Sequence, residues 1–130
     1  MGALIDTQSF IWFFEDNPRL PVSVRQYMEN STSLVVSIAS FWEITIKTSL
    51  GKLVIPDNIS GLMDKSLLNG FKILPIERGH LIVLSTLDFI HRDPFDRIII
   101  SQAIAENMPI VSSDDIFMQY PIDCIWTAKK

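Results

Sequence analysis

Short apolar runs set between stretches of helical periodicity constrain this chain more than any other feature. "GALIDT", "SLVVS", "FKILPI", "PIVSS" and "DCIWT" read as strands. Between them lie "QSFIWFFED", "VSVRQYMEN", "SIASFWEITIKTSLGKL", "ISGLMDKSLLNG", "ERGHLIVLSTL" and "PFDRIIISQAIAEN", in which apolar residues recur at helical spacing. Pro94 suits a first helical position, while Gly51, Gly70 and Asn107 suit helix ends. "DDIFMQY" reads as one further turn or short helix. The order is strand, helix, helix, strand, helix, helix, strand, helix, helix, strand, helix, strand. Strands separated by helices imply a mostly parallel sheet covered on both faces, a three-layer α/β/α arrangement. Such sheets bind ligands beyond the carboxyl ends of their strands, where strand order reverses.

That rule singles out a set of acids. Asp6 closes the first strand and Asp114 closes "PIVSS". Asp93 and Asp96 open the helix "PFDRIIISQAIAEN", and Glu43 lies in the first turns of the helix after "SLVVS". All but Asp6 have an ordinary structural use: Asp93 as an N-cap with Asp96 in the first turn, Ser40 and Glu43 as a capping box, Asp114 or Asp115 as the cap of the next short helix; Asp6, at the end of a central strand, is a buried charge that needs a partner. Taken together they are harder to explain. Carboxylates converging on one sheet edge repel one another unless a cation neutralises them, and an all-oxygen set suits Mg²⁺ or Mn²⁺.

Other chemistries find little support. No G-x-x-x-x-G-K-[ST] or G-x-G-x-x-G loop occurs, and neither histidine belongs to a nucleophile motif. His80 reads as a surface helix residue and His91 as a loop residue, while Trp12, Trp42 and Trp126 read as core. Cys124 is the single cysteine, so an internal disulfide and a cysteine-based zinc site are both ruled out and a reducing cytoplasm fits. No apolar run approaches the roughly 18 residues of a membrane span. The opening "MGALIDTQSF" lacks a basic segment and carries Asp6 where a signal peptide is apolar, so the expectation is a chain neither exported nor anchored. Its 130 residues suit one domain, 1–130. Eleven Lys and Arg against fifteen Asp and Glu give a net charge of −4, so contact with nucleic acid must rest on local basic residues or a bound cation. At 48% hydrophobic residues the chain has apolar surface to reserve for another chain, which favours a homodimer or an obligate partner.

With the acids placed, the chain resembles PIN-domain proteins of the VapC-like toxin group of type II toxin–antitoxin systems. "LIDTQSFIWFF", "SIASFWEITIKTSLGKL", "HRDPFDRIIISQAIAE" and "IVSSDDIF" carry the resemblance, which covers essentially the whole chain. It implies a Mg²⁺- or Mn²⁺-dependent endoribonuclease that hydrolyses RNA phosphodiesters with a metal-activated water, leaves 5′-phosphates and is held in check by an antitoxin. Matched to the family pattern, Asp6, Glu43, Asp96 and Asp114 are the catalytic acids, with Asp6, Asp96 and Asp114 on metal. Thr7 and Ser112 stand where supporting hydroxyls are found, and Asp93 and Asp115 are possible additional acids. Lys47, Lys52, Arg92 and Arg97 are the expected RNA contacts, from position. Gln8 departs from the pattern, since close relatives often have His there. Two alternatives stand beside this reading: a PIN-like interaction module that no longer cleaves, and a phosphohydrolase of the haloacid type. The latter wants an acid two residues after Asp6, where this chain has Gln8.

Overall fold

The computed structural model describes residues 2–126. The elements follow the expected order: β1 (Ala3–Ile5), α1 (Thr7–Glu15), α2 (Val22–Asn30), β2 (Leu34–Ser37), α3 (Ile38–Ser49), α4 (Ile59–Leu68), β3 (Phe71–Leu74), α5 (Arg78–Thr86), α6 (Pro94–Glu106), β4 (Ile110–Val111), a 3₁₀ turn (Asp115–Gln119) and β5 (Cys124–Ile125). The last strand is shorter than "DCIWT", and Thr127 lies outside the described residues.

The five strands form one sheet in the order β3-β2-β1-β4-β5, and every neighbouring pair is parallel. The chain first builds outward from β1 through β2 to β3, then crosses back to place β4 on the other side of β1. Strand order therefore reverses at β1, whose carboxyl end is the switch point where such sheets open a crevice.

Alternation along the strands divides the core into two layers. Ala3, Ile5 and Val36 pack on one face with Phe10, Val24, Met28, Phe41, Ile44 and Leu62. Leu4, Val35 and Ile110 pack on the other with Ile98 to Ile100, Ala103, Phe117 and Tyr120. In the first layer Phe10 makes edge contacts with Phe14, Phe41 and Phe71 at centroid separations of 4.9, 5.3 and 5.5 Å, which ties α1 and α3 to the sheet beside β1.

The helix ends follow local chemistry. Gly51 and Gly70 take positive φ just past α3 and α4, and Asn107 ends α6 in the left-handed region. The expected capping box of Ser40 and Glu43 does not form. Ser37 is the N-cap of α3, its hydroxyl accepting from the Ala39 N–H at 3.0 Å. β2 runs straight into α3, so the helix starts before Ser40, whose hydroxyl meets that of Thr7 at 2.8 Å.

Two further expectations are corrected by packing. Trp42 is 57% exposed, since Phe41 and Ile44 are the residues of α3 that turn to the core, and its ring packs edge-on against Phe95 at 5.1 Å. His80 is only 1% exposed, because α5 lies against α6 and closes over it. Among the described residues no helix is long and apolar enough to cross a membrane.

Candidate functional site

The acids reach the switch point because each terminates or opens an element there. β1 ends at Ile5 and Asp6 becomes the N-cap of α1, accepting the Ser9 N–H through Oδ1 at 2.8 Å. Asp93 caps α6 the same way, its Oδ1 accepting from the N–H groups of Phe95 at 2.9 Å and Asp96 at 3.2 Å. Asp114 caps the 3₁₀ turn after β4, with Oδ1 accepting from Ile116 at 3.0 Å. The capping roles read from sequence for Asp93 and Asp114 are therefore real, and Asp6, for which none was read, is a cap as well. Each spends Oδ1 on the cap, so capping does not exhaust the carboxylate. Asp96, three residues into α6, is not a cap, and Glu43 projects from the second turn of α3.

One cleft is lined by Asp6, Thr7, Gln8, Glu43, Lys47, Asp93, Asp96 and Asp114, with Ile11 and Ser113 completing its wall. All four of the principal acids expected from the sequence meet there, together with Asp93. Asp115 does not line it, and Ser112 lies behind the acids. The Ser112 hydroxyl accepts from the Asp114 N–H at 3.0 Å and also hydrogen-bonds the Asp6 carboxylate. Thr7 ties this floor to α3 through Ser40.

Of the basic residues, Lys47 lines the cleft, its ammonium 3.0 Å from Glu43 Oε2. Arg92 lines a shallower depression beside it, with Lys47, Ile46 and Phe95. Lys52 lines neither. Arg97 is also absent from both: it follows Asp96 by roughly 100° around the helix and turns to the preceding loop. There its guanidinium donates to the carbonyls of Leu87, Asp88 and His91 and stacks over Phe89 at 4.7 Å. That arginine is a loop anchor.

The cleft is short of positive charge. Burial pushes the Asp6 carboxyl above its usual range, against the hydrogen bonds from Ser9 and Ser112, and the Asp114 charge pushes the same way as burial. Asp96 is raised to about 7 by burial first, then by the charges of Asp93, Glu43, Asp6 and Asp114. Glu43 Oε1 is buried without a hydrogen-bond partner among the described residues. A carboxylate oxygen enclosed in this way is costly unless something positive or protic meets it. An all-oxygen donor set with surplus negative charge fits a hard divalent cation.

A second acid and histidine group, Glu77, His80 and Glu106, brings its ligand atoms closer to one another than the cleft acids do. It is a helix clamp. His80 Nδ1 accepts the Glu77 N–H at 3.0 Å and lies 3.3 Å from Gln102 Nε2, so its proton is on Nε2, which donates to Glu106 Oε2 at 2.8 Å. Both ring nitrogens are spent, and Glu106 ends α6 where Asp96 begins it, about 15 Å away along the axis.

Sequence reasoning did not find His91 and Tyr120, which stand behind Asp96. His91 lies in the same stretch as Asp96 but reads there as a loop residue, and Tyr120 is 29 residues from His91, with no local pattern to mark it.

A family model described as "PIN domain" matches residues 3–122. Among solved structures the fold is similar to VapBC2 from Rickettsia felis bound to a DNA fragment from its promoter, at TM-score 0.72 and 17% identity over 96% of this chain and 98% of that one. DNA-bound VapBC from Salmonella typhimurium gives TM-score 0.75 and 15% identity over 96% and 97%. A toxin–antitoxin complex from Klebsiella pneumoniae gives 0.65 and 16% over 95% and 96%. A search of curated protein sequences gives no match.

Proposed function

This chain belongs to the PIN-domain family, and from that premise we propose that it is a divalent-metal-dependent endoribonuclease acting as the VapC-like toxin of a toxin–antitoxin pair. PIN domains are, as a family, nucleases. The observation that carries the finer reading is the meeting of Asp6, Glu43, Asp96 and Asp114 in one cleft at the sheet's switch point, with Glu43 Oε1 buried and unpaired.

Asp6, Asp96 and Asp114 would hold the metal, with Glu43 beside them. A bound Mg²⁺ or Mn²⁺ supplies neutralisation of these carboxylates and Lewis acidity toward a phosphodiester. The chain's own residues do the rest. Glu43, through its unpaired Oε1, is the acceptor that orients a water. Ser112 and Thr7 hold the floor, Ser112 by fixing Asp6 and the Asp114 backbone, Thr7 by tying the start of α1 to Ser40. Lys47 and Arg92 meet backbone phosphates on the open side of the cleft. A chain with net charge −4 needs such local contacts, and it binds RNA modestly.

Apolar surface supports the partners. A groove lined by Phe10, Ile11, Phe14 and Leu62, with Glu15 and Lys65, suits an antitoxin segment. Trp42, Ile46 and Leu50 are exposed on α3 and suit a second copy. The similarity to VapBC structures and to a solved toxin–antitoxin complex supports the antitoxin.

The test is a Mn²⁺ titration by calorimetry on antitoxin-free wild type and Asp6→Asn, followed by an RNA cleavage assay on both. Asn can still cap α1, so the variant keeps its fold. Binding and cleavage that vanish together support the reading. A folded wild type that neither binds Mn²⁺ nor cuts RNA leaves the interaction-module alternative.

A further inference from the structure

His91 lies in the loop between α5 and α6, its side chain mostly enclosed, with its ring against the rear of the acid cleft. Nδ1 is 2.8 Å from the Tyr120 hydroxyl, and Nε2 is 3.4 Å from Asp96 Oδ2. Nε2 is buried and has no fully formed hydrogen bond among the described residues, so Asp96 is the acceptor it faces. A third residue bears on the tautomer. Arg97 Nη1 lies 3.5 Å from the Tyr120 oxygen, and a guanidinium can only donate. With one lone pair of the Tyr120 oxygen turned to Arg97, its own proton is free to go to His91 Nδ1. The imidazole hydrogen is then on Nε2, aimed at the carboxylate. With Asp96 ionised, the opposite tautomer would set a buried lone pair against a carboxylate oxygen, which neither atom could satisfy. The same arginine holds the loop by donating to the carbonyls of Leu87, Asp88 and His91, so ring position and tautomer share one anchor.

We propose that His91 is a positioning residue for Asp96: held by Tyr120 and Arg97 with its hydrogen on Nε2, it grips Oδ2 from behind and leaves the other carboxylate oxygen to the cleft. The proposal rests on reading Asp96 as a metal ligand. It adds an outer partner whose work is to fix the ligand's orientation, as hydrogen-bonded supports do at metal sites generally. The 3.4 Å separation is long for a hydrogen bond, as catalytic contacts often are before the site is loaded.

The test uses the whole antitoxin-free protein with Mn²⁺ as the probe, and variants His91→Leu, His91→Gln and Tyr120→Phe. Nitrogen-15 spectra of the metal-free wild type, taken well above pH 7 where Asp96 is ionised, should report the Nε2–H tautomer at His91. Calorimetry should show His91→Leu weakening Mn²⁺ binding by roughly ten- to a hundred-fold. His91→Gln, whose amide N–H reaches a similar point, should recover binding to within a few-fold. Tyr120→Phe, which frees the tautomer, should fall between the two. A wild type that binds Mn²⁺ while His91→Leu binds it equally well overturns the positioning role alone. So does an equal failure of Gln and Leu, or an Nδ1–H tautomer in the spectra. A wild type without Mn²⁺ binding overturns the metal reading itself, and this proposal falls with it.

Discussion

Lys47 lies one helical turn beyond Glu43 on α3, and its ammonium meets Glu43 Oε2 at 3.0 Å inside the acid-lined cleft. The basic residue that lines the cleft therefore comes from the same helix as one of the acids. An exposed i,i+4 ion pair contributes about 0.5 kcal/mol or less; here the Glu43 end is buried, so the lysine also neutralises an enclosed carboxylate. In the cleft it has two opposed effects. Under the proposed function it would offset part of the negative charge that attracts a dication and would offer a contact to phosphate.

Lys47→Ala should therefore split binding of metal from binding of RNA. Mn²⁺ affinity should rise a few-fold as the cleft becomes more negative, while KM for RNA rises. Calorimetry and steady-state cleavage on one preparation check both signs. A loss of Mn²⁺ affinity would mean that the lysine organises Glu43 and does not compete with the cation.

The raised Asp96 carboxyl sets a pH dependence. Its value is about 7 in the folded protein against 3.8 as the ordinary value, so the metal-free fold binds this proton more tightly than the unfolded chain does. The stabilisation is fully present below about pH 4 and is lost as pH rises through about 7, each pH decade between being worth about 1.4 kcal/mol at most. Asp96→Asn cannot ionise and lacks this slope. The metal-free wild type should therefore lose stability relative to Asp96→Asn between pH 4 and 7 in paired denaturant titrations. Over the same window Mn²⁺ affinity of the wild type should rise, with proton release visible as a buffer-dependent calorimetric heat.

Much of this was legible in the chain, for specific reasons. The strand and helix order follows from apolar spacing, and the sheet's parallel pairing follows from the order. Asp6, Asp96 and Asp114 could be placed because each sits at an element boundary, and boundaries fall on the strand carboxyl edge. Trp42 and His80 were misplaced because burial of a helix face is decided by what packs on it. His80 is buried by Gln102 and Glu106 on α6, 22 and 26 residues away, and nothing beside it in the chain announces them. Arg97 illustrates the same limit: adjacency to Asp96 suggested the cleft, and helical rotation carried it to the loop.

Asp93 and Asp96 can be separated by their different work. Asp93 is an N-cap that also lines the cleft. Asp93→Ser keeps a capping oxygen and removes the charge, so it should leave stability within a few tenths of a kcal/mol and weaken Mn²⁺ binding only a few-fold. Asp93→Ala loses the cap and should cost about 1 kcal/mol. Asp96→Asn should abolish Mn²⁺ binding while the protein stays folded. Melting curves and calorimetry on the three variants make the comparison, and a Ser variant that loses Mn²⁺ altogether would promote Asp93 to a ligand.

The clamp of Glu77, His80 and Glu106 should respond to stability probes and not to metal. His80→Ala leaves the Glu77 N–H without its acceptor, leaves the buried Gln102 amide only the Pro75 carbonyl, and opens a void between α5 and α6. A loss of about 2–4 kcal/mol in denaturant unfolding is the expected cost. Mn²⁺ stoichiometry should stay that of the wild type, since both ring nitrogens are already spent within the protein. Loss of one bound Mn²⁺ in this variant, with the fold intact by circular dichroism, would instead make the clamp a second metal site.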